Sequence, residues 1–186
     1  MKTKELVTLF TEKGENFNIK NWDVYPRPQL KRNSFLCLNG EWDFATNPDG
    51  KIPDTFTEKI IVPFCPQSVL SGINRLIPDD EFLIYKKEFT LPDGFNKGEV
   101  LLHFGAVDQI AKIYLNGKFV IEHHGGYEPF TCFITDLLQE VNTLTVVVKD
   151  NLDTAVLPYG KQKHKRGGMW YTPVSGIWRT VWLESV

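Results

Sequence analysis

One tight group of carboxylates occurs in this 186-residue chain, Asp79-Asp80-Glu81 directly after Pro78. Hydrolysis by a carboxylate pair needs two such groups facing one bond, whereas acids that follow a proline between apolar runs read as solvated turn residues. A serine nucleophile needs a base and a strained elbow. The chain holds no GxSxG, and Ser68, Ser71 and Ser175 have no histidine nearby in sequence. His123-His124 invites a metal ion, but adjacent side chains on a strand point to opposite faces and cannot easily grip one ion together. His103 and His164 lie on other segments and could join them only through folding. The run Lys161-Gln-Lys-His-Lys-Arg166, with Gly167-Gly168 and then Trp170 and Tyr171, mixes cations and aromatics as single-stranded nucleic-acid sites do. It is short and stands in a chain of net charge −2, so a mobile, solvated loop is the simpler reading. No glycine motif for cradling phosphate is present. Residue types and spacing thus give no reactive centre, and neither a metal nor another cofactor is expected.

The elements that would position these residues are short. From Phe35 onward, apolar runs alternate with Gly, Pro, Asn and Asp: Leu36–Phe44, Lys59–Val62, Leu83–Leu91, Glu99–Phe104, Ile110–Leu115, Lys118–His123, Thr143–Lys149 and Gly176–Leu183. Asn116-Gly117 is the strongest hairpin signal, because both central residues of a type I′ turn need positive φ. No helical periodicity exceeds about two turns; only Ile134–Glu140 and the stretch near Lys4–Lys13 suggest helix. Eight to ten strands with turn signals between them predict an all-β fold, an antiparallel β-sandwich. The first 33 residues are polar and contain Pro26 and Pro28, which predicts an extended arm laid over the domain. In the last run Ile177, Val181 and Leu183 alternate with Trp178 and Trp182, a strand apolar on both sides that needs cover on each.

The balance of 42% hydrophobic and 24% charged residues is that of a globular domain. Cys37, Cys65 and Cys132 form no CxxC pair and read as reduced, mostly buried thiols. No stretch approaches the ~20 apolar residues of a bilayer span, and residues 1–10 lack a leader pattern, so the cytoplasm is the expected compartment.

Six motifs occur in order. They are Leu38-Asn-Gly-Glu-Trp-Asp-Phe44, Val62-Pro-Phe-Cys-Pro-Gln-Ser68, Leu102-His-Phe-Gly-Ala-Val-Asp108, Ile113-Tyr-Leu-Asn-Gly-Lys118, His124-Gly-Gly-Tyr-Glu-Pro-Phe130 and Ser175-Gly-Ile-Trp-Arg-Thr-Val-Trp-Leu183. The succession resembles the N-terminal sugar-binding domain of family 2 glycoside hydrolases, the β-galactosidase, β-glucuronidase and β-mannosidase group. The likeness runs from about Pro26 to Val186. It implies a jelly-roll-like sandwich of the galactose-binding-domain kind, with residues 1–33 as an arm and 34–186 as the domain. In that family an immunoglobulin-like domain and a TIM barrel follow. The barrel carries both glutamates of a retaining mechanism. Nothing in this chain matches the barrel motifs, so by this resemblance the chain alone is not an enzyme.

The family's sandwich sends loops to the mouth of the barrel. The matching loops here are Ser71–Glu81, with Asn74, Arg75, Asp79 and Asp80 as candidates for hydrogen bonds to sugar hydroxyls, and Lys161–Thr172, with Trp170 and Tyr171 as candidate walls. Some β-galactosidases place an acid shortly before the aromatic of the second loop. Gly167-Gly-Met-Trp170 has none, which argues against a bound monovalent cation there. Asp108 and Asp150-Asn151 are expected to cap turns. The implied partners are a β-galactoside-like carbohydrate and the chain's own downstream domains, with no nucleic acid and no membrane; a homo-oligomer is left open. The alternatives are a free-standing carbohydrate-binding module and a protein-interaction domain.

Overall fold

Asn116 and Gly117 sit at φ 52° and 77°, so the hairpin they predict forms with the turn they require. Asn116 is held there by its own side chain. Its Nδ2 donates to the Leu137 carbonyl at 2.8 Å, and its Oδ1 accepts from the Thr143 amide at 2.8 Å.

The computed structural model describes residues 9–152 and 156–186. Its strands are β1 (Phe35–Cys37), β2 (Gly40–Asn47), β3 (Glu58–Val62), β4 (Phe82–Phe89), β5 (Val100–Phe104), β6 (Val107–Asp108), β7 (Ile110–Leu115), β8 (Lys118–His124), β9 (Phe130–Phe133), β10 (Asn142–Lys149), β11 (Gly176–Ile177) and β12 (Val181–Ser185). A six-stranded sheet runs β3-β2-β4-β10-β7-β8 and a four-stranded sheet runs β1-β12-β5-β9. All pairings between named strands are antiparallel, and β6–β11 forms a separate two-stranded ribbon. This is the jelly-roll-like sandwich of the galactose-binding type.

The core lies between the sheets. Trp42, Phe44 and Tyr85 from the larger sheet meet Phe104, Leu102 and Leu183 from the smaller, each at most 1% exposed. Burying a side chain of this size contributes roughly 1.5–3 kcal/mol. Tyr85 packs edge-on against Phe44 at 5.1 Å and Trp42 at 6.5 Å.

Two predicted runs prove to be two strands each. Leu36–Phe44 breaks at Leu38-Asn39, so that β1 joins the small sheet and β2 the large one. Gly40, at φ 116°, makes the corner. Gly176–Leu183 breaks at Trp178–Thr180, so Trp178 lies in the bend between β11 and β12 and not on the strand face with Trp182. Two short strands, β6 and β9, escape the sequence pattern altogether. Of the predicted helical pieces, Ile134–Glu140 contributes a 3₁₀ turn at Thr135–Leu137, and a helical turn spans Glu12–Glu15; Lys4–Thr8 lie outside the described residues.

The arm crosses the outer face of the small sheet and is anchored on Glu184, whose side chain is 3% exposed. Tyr25 Oη donates a short hydrogen bond to it, Trp182 Nε1 donates at 2.8 Å, and Arg32 Nε donates at 2.8 Å. Burial pushes the Glu184 carboxyl up, but those three donors outweigh it and hold the group below its ordinary value. The neighbouring His103, buried and stacked on Trp182 at 4.8 Å, is pushed down to about 4 by burial.

Candidate functional site

One end of the sandwich collects the connections that matter. Phe82, at the start of β4, faces Asn47 on one side and Lys149 on the other, and Lys149 faces Ile110 at the start of β7. Segment 71–81 therefore enters, Asp150 leaves, and Asp108-Gln109 precede β7, all at this end.

Loop 71–81 is pinned at both sides. Ser68 caps a 3₁₀ turn over Val69–Ser71, and the Ser71 hydroxyl donates to the Ser68 carbonyl at 2.7 Å. Asn74 sits in the left-handed region at φ 50°. Arg75 turns back to Glu58 on β3 in a two-pronged pair, at 2.6 and 2.9 Å. A fork of this kind fixes position as well as charge, so Arg75 moors the loop to the sheet edge. Asp79 and Asp80 stand exposed at the tip.

Loop 161–172 is largely exposed, as its composition suggests, and is braced by hydrogen bonds of its own backbone. Gly167 and Trp170 exchange backbone hydrogen bonds at 3.1 Å each, the Lys163 amide donates to the Tyr171 carbonyl, and the Tyr171 amide donates to the Lys161 carbonyl. Two of its basic side chains find partners within the loop. Lys163 lies over the Trp170 ring at 4.3 Å, a cation–π contact that half-buries the indole. Arg166 donates to the Thr172 hydroxyl at 2.9 Å. Tyr171 is 68% exposed.

The two loops meet. His164 Nε2 and Asp79 Oδ1 are 2.7 Å apart, a hydrogen bond that spans 85 positions of sequence. Beneath this clasp Gln67 and Ser175 form a two-way clip, with Gln67 Nε2 donating to Ser175 Oγ at 2.8 Å and the Ser175 amide donating back to Gln67 Oε1 at 3.2 Å. Asp150, 8% exposed, closes the floor. The enclosed space is about 10 Å³, at the lower edge of what one water needs. A sugar hydroxyl would therefore meet the outer surface of the clasp rather than enter beneath it.

Two buried carboxyls give this end its electrostatics. Burial pushes Asp108 up to about 7, and burial, with Asp108 and Asp79 nearby, pushes Asp150 up to about 8. Asp108 does not cap a turn as its position in the sequence suggests. It is 4% exposed, its Oδ1 has no hydrogen-bond partner, and the next side chain, Gln109, is buried with neither polar atom bonded. Asp108 packs so closely on Gly126 that a Cβ there would come within 2.2 Å of Oδ1.

The sequence singles out Asn74, Arg75, Asp79, Asp80, Trp170 and Tyr171, and the structure joins Asp79 to the second loop through His164, which the sequence offers only as a metal-ligand candidate and a member of the basic run. His164 was one of several scattered histidines, and no local pattern announces its partner. Asp150 had a visible signal, an acid directly after a central apolar strand. His123 and His124 do point apart: His123 stacks on Phe130 at 4.1 Å, while His124 pairs with Glu122 at 2.7 Å. Among the described residues no group of three or more His, Cys, Asp or Glu is placed to hold a metal ion. Nor is any helix among them long and apolar enough to cross a membrane.

Comparison with known proteins places this end in context. Residues 74–178, more than half of the chain, match the family described as glycosyl hydrolase 2 galactose-binding domain-like. A β-galactosidase of Thermoanaerobacter pseudethanolicus is 35% identical over 102 residues, which cover 54% of this chain and 13% of that enzyme. A β-glucuronidase of Streptococcus agalactiae is 29% identical over 142 residues, covering 74% of this chain and 23% of that enzyme. Among solved structures, a β-glucuronidase from an uncultured Clostridium superposes with a TM-score of 0.65 at 26% identity, over 86% of this chain and 30% of that one. The chain spans less than a third of the length of each of these relatives. Matched over more than half of its length, the chain belongs to the galactose-binding-like domains of family 2 glycosyl hydrolases.

Proposed function

We propose that this chain is the non-catalytic, carbohydrate-contacting and scaffolding domain of a retaining β-glycosidase, β-galactosidase-like in its substrate. The observation that carries this reading is the Asp79–His164 clasp. It makes loops 71–81 and 161–172 one rim, on which Asp79 and Asp80 offer acceptors to sugar hydroxyls and the exposed Tyr171 ring offers an apolar face. Asn74 and Arg75 serve that rim, Arg75 by mooring it to Glu58. The two glutamates of the retaining reaction would belong to a barrel domain outside this sequence, with which the domain acts in the cytoplasm.

The test is direct. Highly purified chain is expected to release no aglycone from an aryl β-galactoside. Turnover that disappears in Asp80→Asn or Glu81→Gln would overturn the non-catalytic assignment. Titration with galactosides separates the scaffold from a free-standing binding module: sub-millimolar affinity of the chain alone favours the module.

A further inference from the structure

A cleft lies away from the loop pair, on the outer face of the four-stranded sheet, and shares no lining residue with the space under the clasp. Its volume is about 400 Å³, within the range of small-ligand sites. His103 and Thr131 contribute from neighbouring positions of β5 and β9, Trp182 from β12, and Trp178 and Arg179 from the bend before β12. The arm supplies Arg27 as the opposite wall.

Its charge is one-sided. Among the described residues no Asp or Glu lines the cleft. Glu184, buried below, already accepts from Tyr25, Trp182 and Arg32. Arg27 reaches it only at 3.7 Å, and its guanidinium lies 5.0 Å from the Trp182 ring centre. Arg179 is exposed, has no carboxylate partner among the described residues, and lies 4.8 Å from the Trp178 ring centre. Gly105 is shaped to this arrangement, since a Cβ there would stand 2.8 Å from Arg179 Cβ. Two guanidiniums, each laid on an indole, thus line one cleft in a chain whose net charge is −2. The hydroxyls of Thr131 and Thr180 add neutral polar contacts.

We infer that this cleft is a second carbohydrate site, for a sugar unit that carries a carboxylate. The carboxylate would lie between Arg27 and Arg179 and accept from both, as guanidinium and carboxylate geometry favours. The apolar face of the ring would contact the aromatic wall, and its hydroxyls would meet Thr131 and Thr180. The choice of a sugar as the ring rests on the carbohydrate reading proposed above; the choice of an acid rests on the two arginines.

The experiment titrates the 186-residue chain with trigalacturonate, reading tryptophan fluorescence and heat, beside neutral galactotriose, sodium acetate and a glutamate-rich peptide. The expected result is saturable binding of trigalacturonate, at least about tenfold tighter than galactotriose, and about tenfold weaker in Arg179→Gln. Arg179 is exposed and Arg179→Gln should melt as the parent does; Arg27→Gln serves as the second variant. Equal affinity for acidic and neutral sugar, full competition by acetate, indifference to Arg179→Gln, or binding of the peptide alone would each overturn the inference. Galactoside binding is measured separately, so loss of the acidic site leaves the reading of the loop pair standing, and the reverse holds as well.

Discussion

Asp108 and Asp150 show what burial does to a single carboxyl. Neither makes an ion pair among the described residues, so burial favours their neutral forms, and their proton affinities rise to about 7 and about 8. A carboxyl that is raised on folding stabilises least at high pH. Its cost is absent below the unfolded value near 4 and grows as pH rises toward 7 or 8. Asp108→Asn is therefore expected to change stability little at pH 4 and to stabilise by about 2–4 kcal/mol at pH 8. It should also lower the Asp150 value, because the like charge is gone. Thermal melts of both proteins at pH 4, 6 and 8 check this; an equal shift at all three would refute a titration-based cost. That Asp108 would be a buried unbonded acid was not legible in the sequence. The residue follows Gly105-Ala-Val and has the look of a turn cap, and only the approach of Gly126, 18 positions away, reveals the packing.

At the scale of elements, what could be read was whatever is local. The Asn-Gly hairpin and the alternation of β10 were visible, because their causes lie within a few residues. The splits of Leu36–Phe44 and Gly176–Leu183 were not. A period of two continues through a corner, and nothing in Leu38-Asn39 says that the next residue joins another sheet. The loops were visible as loops, but their union through His164 and Asp79 depends on two strands ending side by side. The same logic makes Gly176 decisive. It sits at φ 76° in β11, and a Cβ there would fall 2.0 Å from Tyr85 Oη in the core. Both strain and overpacking oppose a side chain at this point, so Gly176→Ala is expected to cost about 2–4 kcal/mol. Chemical denaturation measures it, and a loss under 0.5 kcal/mol, the ordinary range for surface changes, would show that the ribbon yields freely.

For the molecule as a whole, the arm is the part most exposed to pH. Its anchor, Glu184, has a carboxyl held below its ordinary value, so the contribution is full above that value and is lost as pH falls through the folded one. His103, beside it, is pushed down to about 4. A base lowered on folding behaves the same way: its contribution is full above about 6.5 and fades between there and about 4. Both groups therefore loosen the arm on acidification, whereas Asp108 and Asp150 strain the loop end as pH rises. Acid should release the arm before it opens the sandwich, whose apolar cluster, among the described residues, carries only Tyr85 and Cys132 as titrating side chains. Glu184→Gln separates the two. The amide leaves Arg32 without its carboxylate and weakens the hydrogen bonds from Tyr25 and Trp182, a loss of about 1–3 kcal/mol. Limited proteolysis should then cut between residues 17 and 34 several-fold faster at pH 7, and the further acceleration expected of the parent as pH falls below the ordinary carboxylate range should be lost, while the change due to His103 between about 6.5 and about 4 remains. Because Arg27 travels with the arm, the same variant should also empty the cleft of one of its two cations. Cleavage at the parental rate would mean that the apolar contacts of Trp22 and Tyr25, rather than Glu184, hold the arm in place.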